Sequence, residues 1–398
     1  MVKVISGFFL VFLMALMSIS SCQAYDIYHE FGVQHRQFSA ASNANQAYSN
    51  SALSINSFYS YAQGEEQWNG ELWLRLDKEN SERNHLDLRE FYWLNYGEDY
   101  EWQIGVARVF WGVTESAHLV DVINQTDQLE GLDGEDKLGQ AMIHYTKQID
   151  NGQVEWFLLP YFRPQKFYDV GNRFAPPMNM DKKALYDSGA LQRHLDSAVR
   201  LTQHYGAFDW SVMAFSGTNR EPIVQLKGET GQAFYGQMQQ LGITAQYIQD
   251  AWIYKAELML RKNRAHVLNQ DQKSRISAVV LGAEYTQVGI FSTVYDLGYL
   301  IEYQSDNRDK TQVLGQNDLF IGTRLAFNDS DSSEMILGVL HDLTDASQSI
   351  RLEASMRLGQ STKLEVAAYH FNGKGDNWLK QLNKQDLLEI NLFWYFSH

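Results

Sequence analysis

The segment Trp68-Asn69-Gly70-Glu71-Leu72-Trp73-Leu74-Arg75-Leu76-Asp77 alternates apolar or glycine residues with polar ones, and only Trp73 breaks the rule. A two-residue period places successive side chains on opposite faces of an extended chain, so this reads as a strand with one oily and one wet face. Residues 351–358 repeat the scheme, opening on its polar side, and 389–396 repeat it with aromatics on both faces near the end. About 18 such segments follow residue 25, each roughly 8–14 residues long, the length of a tilted strand that crosses a bilayer.

The two faces differ chemically. One carries Leu72, Leu74, Leu76, Ile104, Val199, Val212, Leu260, Leu281, Ile321 and Ile390. The other carries Glu71, Arg75, Asp87, Arg89, Arg200, Glu257, Arg261, Glu302, Arg324, Arg351, Arg357 and Glu389. A soluble sandwich also alternates, but charges of both signs in mid-strand call for a wet interior inside an apolar outer band.

Composition removes the competitors. The 398 residues hold 33 Lys+Arg against 48 Asp+Glu, a formal charge of −15, which argues against nucleic-acid binding. A single Cys excludes a disulfide framework and a Cys-based zinc module. Only five Pro occur, all between residues 160 and 222, and no Gly/Ser tract or composition shift marks a linker. The expectation is therefore one large closed unit over 25–398.

Residues 1–24 read as an export signal: Lys3, an apolar stretch from Val4 to Met17, and small residues at Cys22 and Ala24. Cleavage after Ala24 competes with lipidation of Cys22 after Ile19-Ser20-Ser21, and the sequence leaves both open.

Connections supply an independent clue. Counted along the chain, the even ones are short, as at 96–100, 150–153, 205–208, 249–252, 287–290 and 359–363. The odd ones are mostly long and polar: 39–50, 78–84, 113–137, 163–193, 217–233, 263–274, 304–316 and 373–385, with a short exception at 343–348. Sorting loops by side is what a membrane imposes on a barrel. Trp68, Trp102, Trp210, Trp252 and Phe291 are expected to open odd-numbered strands on the apolar face, a ring at one membrane interface.

This combination resembles the porin-like β-barrels of the Gram-negative outer membrane, over the whole mature chain and by architecture. The stretch 388–396 is similar to the terminal strand that the barrel-assembly machinery reads, although Ser397 and His398 follow its last aromatic. Residues 105–112, GVARVFWG, are similar to the strand, Arg, aromatic, Gly passage that precedes a long loop in several porin-like families. The resemblance implies a closed all-β antiparallel transmembrane barrel of about 18 strands, with 16 as the runner-up, and both termini in the periplasm. It also implies passive diffusion of small hydrophilic solutes.

In such barrels the third long loop often folds inward. Here 113–137 holds Glu115, Asp121, Asp127, Glu130, Asp133, Glu135 and Asp136 against Lys137, and its start at 117–123 is too apolar for a solvated loop. Candidate pore-lining residues are Arg75, Asp87, Arg89, Glu115, Asp121, Asp127, Arg200, Arg261, Arg324, Arg351 and Arg357, together with Arg36. A basic wall opposite an acidic loop would set a transverse field, and Trp73, Phe91 and Trp93 share the inward parity by simple counting. The same loop could instead bridge lipopolysaccharide through divalent cations. Pro160 sits awkwardly in a strand and is expected at its loop end.

No cofactor or metal site is legible: 127–136 lacks the calcium-loop spacing, and no Gly-rich phosphate loop fits. His144 and His204 lack an evident nucleophile and orienting group, so enzymatic activity is not expected. The alternatives to a channel are a structural or adhesive barrel with a filled lumen and an outer-membrane hydrolase.

Overall fold

The computed structural model describes residues 25–39, 46–264 and 274–397. The expected leader at 1–24, with both readings of Cys22, and His398 lie outside the described residues. In chain order the strands are β1 (Tyr25–Phe38), β2 (Ser49–Gln63), β3 (Glu66–Asp77), β4 (His85–Tyr96), β5 (Tyr100–Ala107), β6 (Gln140–Ile149), β7 (Gly152–Tyr161), β8 (Asn179–Met180), β9 (Leu185–Tyr186), β10 (Asp196–Tyr205) and β11 (Phe208–Thr218). They continue with β12 (Ile223–Lys227), β13 (Thr230–Tyr235), β14 (Gln237–Gln249), β15 (Trp252–Asn263), β16 (Arg275–Gln287), β17 (Asp296–Asp306), β18 (Asn317–Ala326), β19 (Glu334–Asp342), β20 (Gln348–Arg357), β21 (Thr362–Asn372) and β22 (Leu387–Ser397).

Eighteen of these form one sheet, and β1 pairs antiparallel with both β2 and β22. The wall therefore closes on itself, which satisfies every edge that lipid could not. Across the closing seam Arg36 lies opposite Glu389 in register, and their side chains meet at 2.5 Å. No helix among the described residues is long and apolar enough to cross a membrane. The apolar parity points outward: Leu76, Leu241 and Ile321 are each more than half exposed. The polar parity points inward, where Glu71, Arg75, Glu257 and Glu302 are buried.

Two bulges adjust this alternation. Glu71 faces Glu90 and Leu72 faces Leu88, so Arg89 is an extra residue in β4. Arg89 is buried inside and Glu90 also binds Arg108 in the interior, while Phe91 is exposed and Trp93 lies opposite Trp68. Phe91 and Trp93 therefore belong to the outer face, which corrects the inward assignment made by simple counting. The second bulge places Leu159 and Pro160 of β7 opposite Met142 alone. A residue without an N–H is tolerated where the ladder is already interrupted, at the loop end of the strand.

A third difference concerns Phe291. It does not open a strand; it lies in a one-turn 3-10 segment, Ile290–Ser292, within the connection before β17, and is 91% exposed. Trp68, Trp102, Trp210 and Trp252 do lie near the starts of β3, β5, β11 and β15. At the other end of the barrel, β8, β9, β12 and β13 build a small second sheet over the mouth, where the sequence showed only loops.

Candidate functional site

The connection between β5 and β6, residues 108–139, turns into the barrel. Its apolar part decides where it lies. Val120, Val122 and Ile123 are fully buried against Trp111 and against Met142, Phe157, Leu159, Met213, Phe215 and Met238 of the inner wall. Those inward-facing strand residues are apolar because the loop, and not water, covers them. Packing of this kind drives the loop against one half of the interior.

Its leading end then runs on past that wall to the neighbouring strands β15 and β17. Glu257 of β15 accepts hydrogen bonds from the backbone N–H of Val113, Thr114 and Leu119, and from the Thr114 hydroxyl. Glu302 of β17 accepts from the N–H of Glu115 and Ser116. Gly112 is required at this point, since a Cβ there would meet His118 Nδ1 at 2.5 Å and Glu257 Oε1 at 3.1 Å. A buried carboxylate that collects several N–H donors is satisfied without a cation partner.

The trailing end is held by arginines. Arg75 Nε and Glu130 Oε2 are 2.7 Å apart, Arg89 Nη2 and Asp127 Oδ2 2.7 Å, and Arg36 donates to the Glu130 carbonyl. Arg83, wholly buried, bridges Asp77 and Glu130, and Trp73 Nε1 donates to Glu130. Burial alone would raise the Glu130 carboxyl; Arg75, His85 and Arg83 overcome it and hold the group far below the usual carboxylate range. Among the other expected lining residues, Glu115 pairs with Arg324 at 2.6 Å and Arg351 with Glu353 at 2.5 Å, with Asp133 at 3.9 Å beyond. Asp87 binds Arg89 and Arg163.

Four of the expected residues sit elsewhere. Asp121 accepts the N–H groups of Trp111 and Gly112 and serves the loop's own fold. Arg200 lies over the Trp111 ring beside Glu155, and Arg261 binds Gln240 and Glu221. Arg357 is exposed and lies over the Tyr395 ring. The wall's arginines and the loop's carboxylates pair directly at Arg75–Glu130, Arg89–Asp127 and Arg324–Glu115.

A cavity of about 710 Å³ remains between 130–136 and the wall made by β1–β4 and β18–β22. Nine carboxylates and seven cations line it, so its balance is slightly acidic. Asp136 opens onto it. Enclosure within the barrel, and then the charges of Glu130 and Asp133, push its carboxyl up to about 7. His118 is driven up to about 9: burial opposes this, but the Glu135 carboxylate bonded to its Nε2 at 2.7 Å prevails.

His85, Asp127 and Glu130 could in geometry hold a metal ion. Arg89 and Arg75 already face the two carboxylates, with Arg83 beside them, so the donor set does not suit a dication. At His144, Thr146 Oγ1 (3.2 Å) and Glu155 Oε1 (3.3 Å) both approach Nε2. A nucleophile and an orienting carboxylate that share one nitrogen do not make a relay.

Arg83, Arg108, Arg163 and Arg220 are structural participants that strand periodicity did not reveal, because all four lie in connections. Arg220 donates to Asp196 and to the Ile123 carbonyl, locking the 219–236 connection to the inner loop.

No family model matches the sequence, and no curated protein does. Among solved structures, OccK11 of Pseudomonas aeruginosa is similar over 94% of this chain and 96% of its own, with a TM-score of 0.52 at 9% identity. OccAB3 of Acinetobacter baumannii (TM-score 0.49, 8% identity, 95% of this chain and 100% of its own) and OmpF of Salmonella typhi (0.47, 11%, 94% and 98%) are also similar. The likeness to OccK11 supports the closed antiparallel β-barrel fold.

Proposed function

We propose that this chain is an outer-membrane channel through which small hydrophilic solutes diffuse passively. The observation that carries the reading is the divided interior. Residues 108–139 seal one half by apolar packing and leave a charged cavity along the other. Water and polar solutes enter such a lining at little cost, whereas an apolar solute gains nothing there. The excess of carboxylates gives a mild preference for cations. In this reading the barrel sits in outer-membrane lipid, meets lipopolysaccharide at its loop end and is received by the barrel-assembly machinery through β22. It carries no catalysis and needs no cofactor.

Planar-bilayer recording tests the reading. Purified protein should give discrete conductance steps, and deletion of 117–132 should enlarge them. Unchanged steps in the deletion would remove the loop's role in narrowing the channel.

A second reading, a structural or adhesive barrel with a closed lumen, is favoured by the 162–195 connection. It reaches across the mouth, where Arg173 donates to the Ala47 carbonyl and to Gln385, and Lys182 pairs with Glu82. Bilayers that stay silent with correctly folded protein would favour it.

A further inference from the structure

The outer face of the barrel carries a groove that solute passage does not use. It runs across β7, β10, β11 and β14–β16 and encloses about 930 Å³. Two rows of outward side chains flank it. The row nearer the long loops contains Gln239, Lys262 and Arg275, which lie opposite one another in register on three adjacent strands. The deeper row contains Trp156, Leu241 and Leu260, all exposed. Between the walls Ala214 and Ser216 contribute little bulk, which leaves the surface concave.

Two features of the upper row call for a ligand. Lys262 and Arg275 are directly opposed like charges, an arrangement that costs stability in a sheet. Neither forms an ion pair among the described residues, although both are exposed. The pair stands where the strands leave the apolar band, the level of a lipid headgroup. Below it the groove is walled mainly by apolar side chains, with Ser277 the polar exception opposite Leu260, an environment that suits an acyl chain.

We propose that this groove binds a phosphorylated glycolipid of the outer leaflet, lipid A, with its phosphate held between Lys262 and Arg275 and an acyl chain along Leu241, Leu260 and Trp156. A doubly charged phosphate removes the repulsion between the two cations, and the guanidinium adds directed hydrogen bonds. The assignment rests on the long loops facing outward, as in the function proposed above.

The test is native mass spectrometry of the detergent-purified barrel with added lipid A. The wild type should retain diphosphorylated lipid A about tenfold better than the dephosphorylated form, and K262Q/R275Q should lose that preference. Equal retention of the two forms, or full retention by the double variant, would overturn the site. Retention of phosphatidylglycerol as strong as that of lipid A would overturn the assignment to the glycolipid. Bilayer conductance of the same double variant should match the wild type. A barrel that binds lipid A through these residues and yet passes no current would leave the site standing and remove the channel.

Discussion

The backbone N–H of Leu119 donates to Glu257 Oε2 at 2.8 Å, within the barrel interior and 138 residues along the chain. With Val113 and Thr114 on the other oxygen, the bond fastens the inner loop to a wall from which it does not arise. Replacing Glu257 by Ala should therefore enlarge single-channel conductance. Each amide left without a partner costs about 1–3 kcal/mol, so thermal unfolding should also come at lower temperature. Glu257→Gln, which keeps one accepting oxygen, should fall between the two. A Glu257→Ala barrel with wild-type conductance would show that the apolar packing alone holds the loop.

Apolar packing has its own signature. Ile123 is 1% exposed among Trp111, Phe157 and Met213. Ile123→Ala should cost about 2–5 kcal/mol of local stability and make the open-channel current noisier as the loop moves. Current noise in bilayer records, compared at equal voltage, checks this.

Asp136 makes ion preference depend on pH. Its carboxyl is raised to about 7, so it is neutral below that pH and charged above it. The cavity gains a negative charge as pH rises through 7, and the cation-to-anion permeability ratio should increase between about pH 6 and 8. The stability linkage runs the other way: the raised group favours the folded state below its unfolded value and loses that contribution as pH rises through 7. Reversal potentials in a salt gradient read the first effect, and Asp136→Asn should flatten it.

Arg36 and Glu389 join the first and last strands. With Arg36 removed, Glu389 keeps its bonds from Gln34 and Asn391 but loses its charge partner. Arg36→Ala should destabilise the closed barrel by about 3–5 kcal/mol. The temperature at which the folded band disappears in a detergent gel should drop, and should drop less for Arg36→Lys. An unchanged temperature would mean that the backbone ladder alone secures the seam.

Strand number, closure and the sorting of long and short connections were legible because a two-residue period is local information. Each segment announces its faces without reference to its neighbours. The bulge at Arg89 escaped simple counting, although Arg89-Glu90, two consecutive charged residues within an alternating strand, marks the place. The apolar inward residues Phe157, Met213 and Phe215 contradict a wet interior until the loop is seen against them. Charge pairing was the least legible. That Glu130 gathers Arg75 and Arg83 while Asp121 serves only its own loop depends on how the chain bends within the lumen, and no spacing encodes that.

Because the anchors for 113–119 lie on β15 and β17, the inner loop emerges during synthesis long before its moorings do. A chain that has not yet reached residue 252 has the latch without the catch. The bore of the finished barrel is thus settled only when distant hairpins arrive, and any delay in their pairing leaves, for a time, a wider hole than the mature protein permits.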